Sequence, residues 1–183
     1  MKTRKGIAKG FTLIELIVVL ATLSVLLAIG IPGFMGYVAR SKTSEALTNL
    51  NLMFKGSAAY YLQASAGSQG VGSGTAGHCI VGTTSLLPAV PTAAKQQANF
   101  LAVAEYKSLG FSISDPVYYG YRLVANGGTS ACDMGASTTL YTFMAMGDLD
   151  GDSVFSRFEL ATGSDASNVL YHSVGMYIVN ESE

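Results

Sequence analysis

From Leu16 to Ile31 the chain reads LIVVLATLSVLLAIGI, apolar at almost every position. With Phe11 to Ile14 placed before it, the run reaches about 20 residues, enough to cross roughly 30 Å of hydrocarbon as a helix. Further on the pattern changes. Leu47, Leu50, Phe54, Ala58 and Tyr61 recur at spacings of three and four, one face of an amphipathic helix, while Arg40, Lys42, Glu45, Asn51 and Lys55 take other positions. The two patterns predict one long helix from about Thr12 to Gln63, roughly 75 Å at about 1.5 Å per residue. Its first half is apolar all round; its second half packs on a domain. Gly30, Pro32, Gly33 and Gly36 gather the weak points in the middle. Pro32 removes the hydrogen bond to Ala28, and each glycine lowers helix stability by about 1 kcal/mol.

Beyond the helix the punctuation is that of β structure. Ser65 to Gly77 reads SAGSQGVGSGTAG, the composition of a flexible surface loop. Ser114-Asp115-Pro116 marks a turn before the strand-like run from Val117 to Val124, in which Tyr118, Tyr119 and Tyr121 are expected in the core or on cross-strand positions. Leu140 to Met146 and Val169 to Val179 also read as strands. The expected class is α+β: a long N-terminal helix packed on a C-terminal antiparallel sheet of about four strands.

Composition narrows the function. Of 183 residues, 49% are apolar and only 13% charged, against about a quarter charged in an ordinary soluble domain. That balance excludes a disordered chain, and the length excludes a multi-span transporter. A net charge of −1 excludes a strongly basic nucleic-acid binder. The charge is unevenly placed. Lys2, Arg4, Lys5 and Lys9 precede the apolar run, which leaves the N-terminus cytoplasmic and sends the rest outward. No A-x-A site follows the run, where Pro32, Gly33, Phe34, Met35 and Gly36 stand instead, so a secretory signal does not fit. Between Phe11 and Ala39 the one charged side chain is Glu15. A carboxylate near the start of a membrane helix is costly and normally has a partner. There is no phosphate-binding loop, no G-x-S-x-G and no histidine-based catalytic arrangement, so no enzyme is expected.

The string Lys9-Gly10-Phe11-Thr12-Leu13-Ile14-Glu15-Leu16 resembles the processing motif of type IV pilins and of type II secretion pseudopilins. The resemblance covers about residues 8 to 33. It extends more loosely through RSKTSEALTNL, from Arg40 to Leu50, which is similar to the pilins of gliding, deltaproteobacterial-type bacteria. It implies cleavage after Gly10 and N-methylation of Phe11 by a prepilin peptidase, with Glu15 as the fifth mature residue and Pro32 as the family's helix-interrupting proline. The implied divisions are a leader over 1–10, a transmembrane and filament-core helix over 11–33, its amphipathic continuation over 34–63 and an exported β-rich domain over 64–183. The implied function is a structural subunit that polymerises into a pilus for attachment and motility. Its implied partners are other copies of itself, related pilins and an inner-membrane assembly platform. Implied too is a precursor held in the inner membrane with its C-terminal domain in the periplasm, and a product outside the cell. A pseudopilin of a type II secretion system is the alternative within the family. A monomeric membrane-anchored binding module is the alternative outside it.

The physical logic of Glu15 can be argued separately. Cleavage frees an α-amino group on Phe11, and a neighbouring subunit's Glu15 in apolar surroundings is a natural counter-ion. A buried carboxylate is costly when unpaired and partly compensated when paired.

Two further features lie in the exported part. Cys79 and Cys132 form one disulfide or remain two thiols; export permits the bridge, which at this span is worth about 4 kcal/mol. Two distant histidines, His78 and His172, do not complete a closed zinc site. Asp148, Asp150 and Asp152, with Glu159 at the twelfth position, match the spacing of an EF-hand calcium loop, although Ser153 replaces the usual glycine and the flanks read as strands rather than helices. The plain alternative is an acidic β-turn. Four of the eleven basic residues belong to the leader, leaving seven against twelve acids, a net −5 once it is removed. That charge predicts no specific nucleic-acid partner.

Overall fold

A computed structural model describes residues 10–66 and 77–181. Most of the leader and of the expected Ser65–Gly77 loop lies outside the described residues. The first helix, α1, runs Leu13–Ala66 and passes through Pro32 without losing its helical assignment. The chain divides into two compact units at Val38 and Ala39.

In the first unit the apolar side chains of the helix are largely exposed among the described residues. Leu13 is 75% exposed, and Val19, deep in the apolar run, is still 45% exposed. The segment is long and apolar enough to cross a membrane. Its few polar groups are satisfied internally: the Thr22 hydroxyl donates to the Val19 carbonyl at 2.9 Å and the Ser24 hydroxyl to the Leu20 carbonyl at 2.8 Å.

The second unit is a sheet packed on the remainder of α1. Thr43, Ala46, Leu50, Met53, Ser57 and Tyr61 form a buried stripe at helical spacing. Of the expected face, Leu50 and Tyr61 are central, whereas Leu47, Phe54 and Ala58 flank the stripe half-buried. The small side chains of Ala46 and Ser57 let the backbone approach, and Gly56 does so most of all. A Cβ there would overlap the Leu109 carbonyl, so the chain after a 3₁₀ turn (Phe100–Ala102) and a short helix α2 (Ala104–Ser108) could not lie on α1.

The sheet is antiparallel throughout, ordered β1 (Gly120–Ala125), β2 (Thr139–Gly147), β3 (Ser156–Ser164) and β4 (Leu170–His172), with β5 (Tyr177–Val179) also on β3. The single strand expected over Val169 to Val179 is therefore two. β4 pairs with residues 162–164 and β5 with 157–159, and between them the Ser173 amide reaches the Ala161 carbonyl while its hydroxyl bonds Gly175. The other edge is covered, because Leu87 pairs with Tyr121 and Gln96 with Val117.

Aromatic rings fill the space between helix and sheet. Phe100 lies 5.1 Å from Phe111 and 5.5 Å from Tyr106, centroid to centroid, and Phe111 lies 6.0 Å from Tyr121. The Tyr106 hydroxyl donates to the Tyr121 carbonyl at 2.8 Å, and the Tyr141 hydroxyl accepts from the Val81 amide at 2.8 Å. Burial pushes the Tyr106 and Tyr119 phenols up to about 12 and those of Tyr121 and Tyr141 higher still. Cys79 and Cys132 are joined as a disulfide beside the Ile80–Ala131 bridge.

Candidate functional site

The start of α1 is built by a reciprocal pair. The Thr12 amide and hydroxyl both donate to Glu15 Oε2, at 2.9 and 2.7 Å, and the Glu15 amide donates back to the Thr12 hydroxyl at 3.3 Å. The Thr12 carbonyl takes the first helical bond from Leu16. This is a capping box, which satisfies amides that the first helical turn cannot pair. Glu15 thus has a partner within its own chain, supplied by the T-x-x-E spacing three residues upstream, which the reading of Glu15 as a lone membrane charge passed over. Both Thr12 bonds fall on Oε2, and Oε1 has no partner among the described residues.

Gly10 and Phe11 precede the helix outside any regular element, and Phe11 is 77% exposed. A Cβ placed on Gly10, Gly30, Gly33 or Gly36 would meet nothing. These glycines answer to no packing within the chain. Pro32 lies inside α1 with them.

The acidic loop joins β2 to β3. Asp148, Asp150 and Asp152 each place a carboxylate oxygen within 4.8 Å of the others, a set that could hold a metal ion. Asp148 is buried, and its two oxygens accept the Gly151 amide at 2.7 Å and the Ser153 amide at 3.2 Å. Asp150 and Asp152 are exposed and accept the amides of Asp152 and Val154. The turn needs two left-handed residues, Gly151 at φ 84° and Ser153 at φ 70°. Glu159 does not join this group. It lies on β3 opposite Met144, with its carboxylate 3.2 Å from Arg157. An EF-hand brings its twelfth residue back because a helix begins there. Here β3 begins at Ser156, and an extended strand carries Glu159 about 10 Å away from the loop instead.

A second carboxylate, which sequence reasoning placed only on a polar face, joins helix to sheet. Glu45 Oε1 accepts the Tyr118 amide at 2.9 Å and the Tyr121 hydroxyl at 3.2 Å, and the same hydroxyl accepts from Asn49 Nδ2 at 2.7 Å. The expected roles of Tyr119 and Tyr121 hold, since both are fully buried. Tyr118 is half-buried with the ammonium groups of Lys42 and Lys95 at 4.7 and 5.1 Å from its ring centre.

Comparison with known proteins places these features. The chain is 47% identical over 53 residues to the type IV major pilin protein PilA of Myxococcus xanthus, which covers 29% of this chain and 24% of the relative. It is 55% identical over 42 residues to the fimbrial protein EcpC of Eikenella corrodens, covering 23% of this chain and 28% of the relative. It is 45% identical over 49 residues to the type IV major fimbrial protein FimA of Dichelobacter nodosus, covering 27% and 31%. No family model matches the chain, and no solved structure does. The matches thus span about a quarter to a third of the relatives' own length. Those relatives are named as pilin and fimbrial proteins. The likeness to these type IV pilin and fimbrial proteins lies in the N-terminal region.

Proposed function

We propose that the chain is the precursor of a pilus subunit, cut between Gly10 and Phe11, N-methylated at Phe11 and assembled through its N-terminal helix with other copies of itself. The observation that supports this reading is an apolar helix left exposed among the described residues, on the segment that is similar to pilins. In a membrane lipid covers such a helix; in a polymer, neighbouring copies do. The free Oε1 of Glu15 suits the α-amino group that cleavage creates on the Phe11 of a neighbouring copy. Thr12 then orients the carboxylate while Oε1 pairs across the subunit boundary. In apolar surroundings this one ion pair fixes axial register among aliphatic contacts that would otherwise slide. The precursor resides in the membrane, and a prepilin peptidase and an assembly platform act on it there.

Mass spectrometry of sheared surface filaments tests the proposal. The expected N-terminus is methylated Phe11. Intact leader in surface filaments overturns the processing, and absence of the chain from any filament overturns the polymer. Glu15→Ala is expected to leave membrane insertion intact and abolish assembly.

We further propose calcium for the acidic loop, supported by the three oxygen donors within 4.8 Å. Asp148 would supply the buried ligand, with Asp150 and Asp152 closing the outer side. Calorimetric titration of the full chain with calcium, with Asp150→Ala as control, tests it. Absence of heat at millimolar calcium rejects the site.

A further inference from the structure

The outer face of the sheet, turned away from α1, carries a groove of about 550 Å³ along β3. Its origin is legible in the register. Thr139 on β2, Gly163 on β3 and Tyr171 on β4 stand directly opposite one another, and paired residues share a face of the sheet. Gly163 supplies no side chain to the middle of this row, and Ala161, two residues back, supplies only a methyl. Thr139 and Tyr171 are therefore walls about 10 Å apart over a floor of small residues. A Cβ at Gly163 would stand 2.7 Å from the Thr138 carbonyl, so this floor position is closed to any larger residue.

The lining has a distinctive chemistry. Ser137, Thr139 and Tyr171 present hydroxyls that make no hydrogen bond among the described residues. Asp165 spends Oδ1 on the Ser167 and Val169 amides, at 2.8 and 2.9 Å, and leaves Oδ2 free. The wall behind is fixed: the Ser164 hydroxyl donates to the Gly135 carbonyl at 2.8 Å and accepts the Thr138 amide at 3.1 Å. The Tyr171 ring is 53% exposed. Among the described residues no lysine or arginine lines the groove, and no large aliphatic side chain does.

From this geometry we infer that the groove is a binding site for a neutral oligosaccharide. Its volume lies within the range of small-molecule sites, about 300–1,000 Å³. Free hydroxyls and a carboxylate oxygen offer both donors and acceptors, which is what a polyhydroxylic ligand exchanges. A tyrosine ring offers an apolar face to the C–H side of a pyranose while keeping its hydroxyl for a hydrogen bond. The lone Asp165 with no cation disfavours phosphates, sulfates and acidic sugars, and the absence of aliphatic walls disfavours lipids and apolar peptides. Walls already held by their own hydrogen bonds reduce the ordering that binding would require.

The test uses the full chain in a zwitterionic detergent free of sugar headgroups, so that its outcome does not depend on polymerisation. The immobilised protein is offered oligomers of glucose, mannose and galactose, and beside them sialylated, uronic and sulfated oligomers. A neutral oligomer is expected to bind. Tyr171→Ala is expected to weaken that binding roughly tenfold, and Tyr171→Phe, which keeps the ring, by only about threefold. Ala161→Leu, which fills the floor from an exposed strand position, is expected to abolish it. Tyr177→Ala, an exposed tyrosine on β5 outside the groove, is expected to change nothing. The inference is overturned if no neutral oligomer binds, if acidic oligomers are preferred, or if Ala161→Leu and Tyr171→Ala bind as the parent does. An unchanged denaturation midpoint in Ala161→Leu separates a filled groove from a lost fold.

Discussion

One helix carries two opposite rules. In its first unit Leu26 is 66% exposed among a dozen similar side chains, whereas Leu50, on the same α1, is fully buried against the sheet. Helix propensity does not distinguish the two leucines; what each meets does. A leucine removed from water contributes roughly 2 kcal/mol, and Leu50 collects that from its own chain. Leu26 collects it only from something outside the chain. The second half of α1 is therefore a folding element, whereas the first half is left uncovered among the described residues.

The largest expected effect follows from where the phenols sit. Tyr106 and Tyr119 are buried and held up at about 12, while Tyr37, in the first unit, is exposed. Between pH 10 and about 12 the unfolded chain has lost these phenolic protons and the folded chain retains them. Stability is then fully present below pH 10 and falls as pH rises, by about 1.4 kcal/mol per phenol per pH unit. Tyr121 and Tyr141, raised further, add to the fall. Chemical denaturation of the full chain in detergent from pH 9 to 12 should show a steep alkaline loss in the sheet unit. Helicity of the first unit should stay flat over the same range. Parallel losses in both would break the distinction.

The disulfide comes next. Cys79 and Cys132 close a span of 53 residues, and replacing both with serine should cost the sheet unit about 4 kcal/mol, read as a lower urea midpoint. Membrane insertion of the first unit should be unaffected.

A matched pair of leucines tests the comparison itself. Leu50→Ala should destabilise the sheet unit by about 3 kcal/mol, transfer and cavity together. Leu26→Ala should stay within about 0.5 kcal/mol in the same measurement, because no neighbour in the chain loses contact. Equal effects would mean that Leu26 is covered after all.

What the local pattern revealed and what it hid follows the same division. The helix and its apolar half were legible because periodicity and length act over neighbouring residues. The buried stripe was legible only to within one step: Ala46, Met53 and Ser57 fit the helical period as well as Leu47, Phe54 and Ala58 do. β3 was legible only as a strand-like flank of the acidic loop, because Arg157 and Glu159 stand between its buried positions Phe158, Leu160 and Thr162. The break between β4 and β5 depends on hydrogen bonds to Ala161, more than ten residues away. The role of Glu45 depends on amides over seventy residues away. Glu159 stands apart from the three Asp because the strand-like flank read from the sequence is indeed a strand, which runs away from the loop where an EF-hand would have a helix.

Glu45→Ala should cost the sheet unit about 2 kcal/mol, since the Tyr118 amide loses a charged acceptor and the buried Tyr121 hydroxyl loses one of its two partners. Glu45→Gln keeps an acceptor and should recover part of that. A full loss in the glutamine variant would show that the charge, and not the acceptor, joins helix to sheet.

The smallest expected effect bears most directly on assembly. Thr12→Ala removes the hydroxyl from the capping box and should cost the start of α1 about 1 kcal/mol, seen as faster amide exchange in its first turns in detergent. Glu15→Ala removes the other half of the same box, so its cost to the helix should be similar. If capping were the whole role of Glu15, the two variants would assemble alike. If Oε1 pairs with the amino terminus of a neighbouring copy, Thr12→Ala still assembles because the carboxylate remains, only less well oriented, while Glu15→Ala does not. Glu15→Gln sharpens the contrast. The amide oxygen can still accept from Thr12, so amide exchange at the helix start should resemble the parent, yet it offers no charge to an α-ammonium group. Normal filaments from Glu15→Gln would assign this carboxylate to its own helix alone.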